Sequence, residues 1–162
     1  NRRKTEGGST ANQGVHYIDL LQWFVGPVKM VYGMSRAFTH KIETEDTSIA
    51  ILTFKNGGWG TLVTTTASVP KLGSVIEISG DNGTIILKDN EIPLYHCKDK
   101  ANVSLDEFIL SKDRPKNIIE DIVSAITRGT PVAVDGFEGR ESVKIFNAIY
   151  ESSRTGKPVR LE

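Results

Sequence analysis

The stretch TSIAILTFKNGGWGTLVTTTA, residues 47–67, decides the fold. Two runs of β-prone residues, 47–54 and 59–67, flank the four-residue segment Lys55–Gly58. Asn-Gly between two such runs is the strongest short-range signal for a β-hairpin. The threonines at 64–66 favour extended backbone, because their side chains branch at Cβ. We therefore predict an antiparallel hairpin and, around it, a meander of antiparallel strands.

Further strands are predicted on both sides of this hairpin. Residues 28–38 alternate with a period of two, which is typical of a strand. One face of that strand should carry Val28, Met30, Tyr32 and Met34, and the other Lys29, Val31 and Ser35. A second hairpin is expected at residues 80–83, between strands at 74–79 and 84–87. With a weaker strand at 92–96, the chain has about six strands.

A helix is predicted before the strands, over residues 12–25. Thr10 or Asn12 could cap its start, and the pair Gly26-Pro27 should end it. Its apolar stripe is wide, which predicts that the helix is well buried. The stripe consists of Val15, Ile18, Leu20, Leu21, Trp23 and Phe24.

Two more helices are predicted near the end of the chain. Asn117 with Glu120, and Asp135 with Glu138, have the spacing of capping boxes. The first helix should end at Gly129 and the second at Gly156 and Pro158. Their apolar residues are Ile118, Ile119, Ile122, Val123 and Ile126 in the first, and Val143, Ile145, Phe146, Ile149 and Tyr150 in the second. Residues 1–8 and 98–114 are predicted to be irregular.

This order of elements predicts an α+β fold, with helices on one face of a predominantly antiparallel sheet of about six strands. Val, Ile and Trp residues recur on the strands, so the other face is also expected to be covered. A second copy of the chain could cover it, in a symmetric homodimer or a tetramer.

Length, composition and charge narrow the class of protein. The chain has 162 residues, which is the length of one domain. It contains 20 Lys+Arg and 20 Asp+Glu residues, so its formal net charge is zero. This balance argues against nucleic acid as the partner. No apolar run approaches the ~20 residues of a membrane span. The one cysteine, Cys97, is interpreted as an inert thiol, and the cytoplasm is the expected location.

Among the three histidines, His16 is the candidate for chemistry. Asn12, His16 and Asp19 are spaced by four and three, so they share one helical face. Imidazole can exchange a proton near neutral pH, and a neighbouring amide or carboxylate can orient it. His40 and His96 are interpreted as ordinary surface or hydrogen-bonded histidines.

Two other patterns contain residue types that occur in functional sites. Glu43, Glu45 and Asp46 are interpreted as a solvated acidic loop; a hydrolase metal site with a histidine is the distant alternative. The glycine-rich segments 57–60 and 80–83 lie between predicted strands. A dinucleotide-binding loop must instead close a strand and open a helix, so no cofactor-binding or metal-binding residues are predicted.

The segment GGSTANQGVHYIDLLQW, residues 7–23, resembles the active-site helix of the glucose–fructose oxidoreductase / inositol dehydrogenase / MocA family. That family has a Gly-rich run, then Asp or Asn, His four residues later and Asp three after that. The resemblance extends in order over nearly all 162 residues. It includes Glu45-Asp46-Thr47, Asn56-Gly57, ISGDNGT (78–84), GTPV (129–132), DGFEGR (135–140) and GKPV (156–159).

The resemblance implies that the cofactor and the substrate bind to different domains. Such enzymes have an N-terminal Rossmann domain that binds NAD or NADP, and a C-terminal α+β domain that brings the histidine to a sugar. Residues 1–162 would form this C-terminal, substrate-binding domain, and the cofactor would not bind to it alone. His16 would be the catalytic acid–base residue and Asn12 a substrate ligand, while Asp19 would brace the helix.

Asn12 also narrows the subgroup, because many members of the family have Asp at this position. Asn-Gln-Gly before the histidine resembles enzymes that act on UDP-linked N-acetylamino sugars and their uronic acids in surface-polysaccharide (lipopolysaccharide) synthesis. We expect the chain alone to be inactive without its Rossmann partner. The alternative is a non-enzymatic dimerisation or sugar-sensing domain of the same fold.

Overall fold

The computed structural model describes residues 7–89, 91–98 and 117–162, which form two compact units. The first unit comprises Asn1–Leu72 and Gly136–Glu162, and the second comprises Gly73–Asp135. Most of the two segments predicted to be irregular, 1–8 and 98–114, lies outside the described residues.

The first unit is a four-stranded antiparallel sheet with helices on one face. A π-helical turn, Thr10–Gly14, leads into α1, Val15–Val25. The sheet strands are β1 (Val28–Arg36), β2 (Thr47–Phe54), β3 (Trp59–Thr65) and β7 (Val159–Arg160), in the order β3-β2-β1-β7. Helix α3, Gly136–Thr155, packs on β1 and on α1. Gly33 allows close packing there, since a Cβ at this position would lie 2.9 Å from Ile149 Cγ2.

The core of this unit lies between the helices and one face of the sheet. Alternate residues of β2 point into it, and α3 contributes residues at helical spacing. The fully or nearly buried apolar residues are Ile18, Val28, Val31, Ala50, Leu52, Phe54, Ile145, Ala148 and Ile149.

Strand β1 differs from its predicted alternation. A register shift between Val28 and Met30 places Val28 on the buried side with Val31, while Tyr32 and Met34 stay on the opposite face. The inserted residue reverses the alternation at the start of the strand, as expected for a β-bulge. The sequence prediction put Val28 and Tyr32 on the same face and was wrong on this point.

The free edge of β1 is closed by serine side chains. Strand β7 pairs with β1 only at Met30 and Val31. Beyond that point, the backbone N–H groups of Gly33 and Ser35 donate to Ser152 Oγ and Ser153 Oγ of α3, both at 2.9 Å. Since unpaired edge N–H groups can pair with another chain, these bonds protect the edge.

The connection between β1 and β2 is organised by one buried carboxylate. Asp46 is fully buried and accepts hydrogen bonds from the backbone N–H groups of Phe38, Thr39 and His40 at 2.8–3.1 Å. These bonds, that from His40 foremost, hold the pKa of Asp46 well below its usual range. The prediction that Asp46 is solvated was therefore wrong.

The second unit contains a three-stranded antiparallel sheet and a helix. The strands are β4 (Val75–Gly80), β5 (Gly83–Lys88) and β6 (Glu91–Cys97), in that order across the sheet. Helix α2, Ile118–Arg128, begins as predicted, with Asn117 Oδ1 accepting from the Glu120 N–H at 3.0 Å. It ends at Gly129, whose backbone is left-handed (φ 67°).

The α+β prediction is confirmed, and so are both hairpins. The described strands form sheets of four and three strands rather than one sheet of about six. Helix α1 is less buried than predicted, because only Ile18 is buried and Trp23 is 77% exposed. No helix in the described part of the chain has both the length and the apolar character that crossing a membrane requires.

Leu52 and Leu72 test the position of the core. Leu52 is 0% exposed in β2, whereas Leu72 is 71% exposed. Leu52→Ala should lower the free energy of unfolding by about 2–5 kcal/mol, because it leaves a cavity. Leu72→Ala should change it by about 0.5 kcal/mol or less. Urea denaturation measures both, and equal effects would contradict the assigned core.

Asp46→Asn tests the buried carboxylate through pH. Because the folded-state pKa lies below the ordinary value of 3.8, the ionised group stabilises the fold above that pH. This contribution is lost as the pH falls towards the folded-state pKa. Asp46→Asn should therefore be less stable than the native protein at pH 7, and the difference should shrink below pH 3.8. A difference in denaturation midpoint that is constant from pH 7 to 3 would refute this role.

Candidate functional site

Asn12 and His16 lie exposed where the first helix begins. Asn12 is within the π-helical turn and His16 is the second residue of α1. Asp19 is exposed as well, whereas Gly14 and Ile18 are buried. π-Helical turns are rare in proteins, and those that do occur are frequently found at functional sites.

The start of the helix is held by a carboxylate from another part of the chain. Glu45 Oε1 accepts the backbone N–H of Thr10 at 2.8 Å and the Ser9 hydroxyl at 3.4 Å. Thr10 and Asn12 lie within the π-helical turn rather than before it, and Ser9 at the cap position makes no side-chain cap bond. The predicted cap by Thr10 or Asn12 was thus wrong, and so was the solvated interpretation of Glu45, which is 7% exposed.

Thr64 of β3 ties the same turn to the sheet. Its hydroxyl lies 3.1 Å from Ser9 Oγ and 2.9 Å from Thr10 Oγ1. Gly14 permits this approach, because a Cβ there would lie 2.7 Å from Thr64 Cγ2. The turn is therefore fixed against the sheet by side-chain hydrogen bonds and by close packing.

Tyr150 of α3 completes the contacts of Glu45. Its phenol donates to Glu45 Oε1 at 3.1 Å. Burial, together with the negative charge of Glu45, raises the pKa of Tyr150 to about 12. The phenol therefore stays protonated at neutral pH and acts as a hydrogen-bond donor to the carboxylate. We call Ser9, Thr10, Glu45, Thr64 and Tyr150 the anchor cluster.

The middle of α1 is held separately by α3. Ser142 Oγ donates to Asp19 Oδ1 at 3.0 Å and lies 3.1 Å from the Gln22 amide nitrogen, which donates to it. Asp19 thus braces α1 against α3, as the family resemblance implied. The helix ends at Gly26, whose N–H donates to the Gln22 carbonyl at 2.8 Å.

A cleft of about 600 Å³ opens beside the anchor cluster. Gly8, Glu45 and Tyr150 contribute to its wall, together with Arg36 and Arg154. Asn12 and His16 do not line it. The described residues therefore place the predicted site residues on an exposed helix face rather than in a closed pocket.

The other candidate groups do not assemble into a site. His40 Nδ1 lies 3.3 Å from Asp46 Oδ2, while Glu45 contacts the anchor cluster instead. Over residues 7–89, 91–98 and 117–162, no three His, Cys, Asp or Glu side chains are grouped as metal ligands. Both glycine-rich segments form turns between antiparallel strands, unlike a dinucleotide-binding loop.

Sequence reasoning missed Thr64 and Ser142, although a signal existed for the second. Ser142, Ile145 and Ile149 are spaced by three and four, so a polar residue lies on an apolar stripe. Such a residue is expected to have a specific hydrogen-bond partner. Thr64 carries no comparable signal, because threonine is common in strands.

Comparison with known proteins agrees with this architecture. The oxidoreductase family C-terminal alpha/beta domain matches residues 1–161. The WlbA dehydrogenase from Bordetella pertussis, solved with NADH and UDP-GlcNAcA, is 30% identical over 97% of this chain, with a TM-score of 0.81. The Chromobacterium violaceum WlbA dehydrogenase, solved with the same ligands, is 32% identical over 96% of this chain, with a TM-score of 0.82.

The chain spans about half the length of such relatives. It covers 46% of each WlbA chain. It is also 25% identical to the uncharacterised oxidoreductase YrbE of Bacillus subtilis, covering 98% of this chain and 50% of that protein. The match over residues 1–161 confirms the family predicted from the resemblance over nearly the whole chain. This chain belongs to the glucose–fructose oxidoreductase / inositol dehydrogenase / MocA family and corresponds to its C-terminal alpha/beta domain.

Proposed function

We propose that this chain is the substrate-side domain of an NAD(P)-dependent dehydrogenase that oxidises a hydroxyl group of a sugar or nucleotide sugar. The observation that carries the proposal is the exposed pair Asn12 and His16 on a helix that is held at its start by Glu45 and in its middle by Ser142. The similarity to two dehydrogenases solved with NADH and UDP-GlcNAcA supports a UDP-linked amino sugar or its uronic acid as substrate. The full-length enzyme is proposed to act in surface-polysaccharide synthesis.

His16 is proposed to take the proton of the hydroxyl group that is oxidised. A ring nitrogen of the neutral imidazole accepts this proton as the alcohol becomes a carbonyl. NAD or NADP, when bound, accepts the hydride from the same carbon. An exposed imidazole on a fixed helix can meet a substrate that arrives from outside this domain.

Asn12 is proposed to bind the substrate beside His16. Its Oδ1 accepts from Gln13 Nε2 at 3.0 Å, which leaves the Nδ2 protons for a substrate oxygen. An amide cannot take up a proton at neutral pH, so Asn12 orients the substrate and His16 carries the proton transfer.

The cofactor is proposed to bind to a Rossmann domain outside these 162 residues. The strands described here are antiparallel neighbours and offer no βαβ unit for a dinucleotide. The coverage of 46% of each WlbA chain leaves room for such a domain. Residues 1–162 alone would then be inactive, and the complete enzyme is proposed to work in the cytoplasm.

The outer sheet face of the first unit is proposed to pair with a second copy of the chain. We define this face as Tyr32, Met34, Ile49, Ile51, Trp59 and Val63, each of which is exposed. The threonines between them add no charge, and the charged residues Arg36, paired with Thr47, and Arg160, paired with Met30, lie at the margins of this face. A two-fold interface brings a surface against itself, so an uncharged face suits it better than a charged one.

His16→Ala in the full-length protein tests the proposed proton transfer. Loss of a general base should lower kcat by about 10²–10⁴-fold. The KM for the cofactor should not change, since His16 lies in the substrate domain. NADH formation with a panel of UDP-sugars measures both quantities.

His96→Ala is the matched control, because His96 is also exposed but lies on β6. It should leave kcat within about twofold, consistent with a surface substitution. Wild-type turnover that survives His16→Ala would instead favour a non-catalytic role for this domain.

Ile51→Lys tests the outer sheet face. A two-fold interface would bring the new charges of both copies together in an apolar contact, so the variant should be monomeric. Light scattering after gel filtration measures the mass. Leu72→Lys is the control, because Leu72 is exposed outside the sheet, and it should leave the mass unchanged. A native protein that is monomeric at all concentrations would refute the pairing.

A further inference from the structure

We infer that Glu45 is a positioning residue for the reaction: its buried carboxylate sets the place of the turn that carries Asn12 and leads into His16. This inference rests on the proposed function of His16 but concerns a residue that does not touch the substrate. Glu45 lies two residues before the start of β2 and 35 positions after Thr10 in the sequence.

The contacts of Glu45 point to the helix start. Oε1 accepts from the Thr10 N–H, the Ser9 hydroxyl and the Tyr150 phenol. The Glu45 carbonyl also accepts the Ser9 N–H at 3.2 Å. Two of these bonds involve backbone N–H groups of consecutive residues, so they fix the path of the main chain where the turn begins.

A carboxylate is costly to bury, and here it is not compensated by a cation. Glu45 is 7% exposed and forms none of the ion pairs found among the described residues. Its charge is balanced by hydrogen-bond donors, two of which belong to the helix start. A residue that only filled space could be apolar at this position, at lower cost.

The close approach of Glu45 requires glycine at position 8. A Cβ at Gly8 would collide with the carboxylate and the carbonyl of Glu45, so the chain passes directly over the acid. The Asn12 N–H then donates to the Gly8 carbonyl at 3.0 Å, which links the contacted segment to Asn12. Gly14 rests on Thr64 one turn later, and His16 follows two residues after it. A shift at Thr10 is therefore transmitted to both proposed site residues.

Two substitutions in the full-length protein separate positioning from charge. Glu45→Asp keeps the charge but shortens the side chain by about 1.5 Å, one carbon–carbon bond. Glu45→Gln loses the charge but keeps an oxygen that can accept the same bonds. Positioning predicts that Glu45→Asp lowers kcat about 10²-fold, since small misplacements of reacting groups have effects of this size. Glu45→Gln should stay within about tenfold of wild type.

The cofactor KM should be unchanged in both variants, because Glu45 lies in the proposed substrate-side domain. Glu151→Asp and Glu151→Gln are the controls, because Glu151 is an exposed glutamate on α3, one residue after Tyr150. Both should have wild-type kcat. Thermal unfolding verifies that every variant is folded at the assay temperature.

Hydrogen exchange of the Thr10 amide gives a readout that does not depend on turnover. Exchange should become faster in Glu45→Asp and stay slow in Glu45→Gln. The positioning role is overturned if Glu45→Gln loses kcat while Glu45→Asp keeps it, or if neither variant changes kcat or exchange. A wild-type enzyme that oxidises no UDP-sugar would refute the proposed function instead, and the Thr10 amide would still decide whether Glu45 holds the turn.

Discussion

Two consecutive carboxylates, Glu45 and Asp46, are buried where β2 begins, and the position of the turn that leads into α1 depends on the hydrogen bonds that Glu45 accepts. Asp46 accepts hydrogen bonds from the backbone N–H groups of residues 38–40, in the connection between β1 and β2. Glu45 faces the helix start and holds Thr10. The two side chains accept from different segments, so one short stretch of chain fixes both the helix start and the loop at residues 38–40. The sheet thereby provides a rigid reference for a helix whose own first turn lacks a side-chain cap.

This arrangement suits a domain that presents a proton acceptor to a reaction assembled with another domain. The helix is fixed by the anchor cluster at its start and by Ser142 of α3 in its middle. Ile18 anchors the inner side in the core, and His16 lies on the outer side. Pre-organised groups lose little entropy when a substrate arrives, so a rigid mounting favours catalysis more than a flexible one would.

Much of this fold was predictable from local sequence, and the limits have physical causes. Asn56-Gly57, Gly26, Asn117 and Gly129 determine their turns and helix ends through backbone geometry within a few residues, so these predictions are confirmed. The bulge in β1 escaped prediction, because one inserted residue reverses the alternation without changing composition. Burial of Glu45 and Asp46 also escaped, since their partners are set by tertiary structure. Asn12 and His16 are proposed as site residues from their spacing and the family resemblance, whereas the hydrogen bonds that hold their turn required the structure.

The most direct measurement is a crystal structure of the full-length protein with NAD and a UDP-linked amino sugar. The account predicts that a ring nitrogen of His16 lies within hydrogen-bond distance, about 2.6–3.2 Å, of the sugar hydroxyl whose carbon faces the nicotinamide. It also predicts Asn12 Nδ2 on a neighbouring sugar oxygen and Glu45 still bound to the Thr10 N–H. A sugar held with its reacting hydroxyl on another side chain, and with His16 turned to solvent, would contradict the central claim.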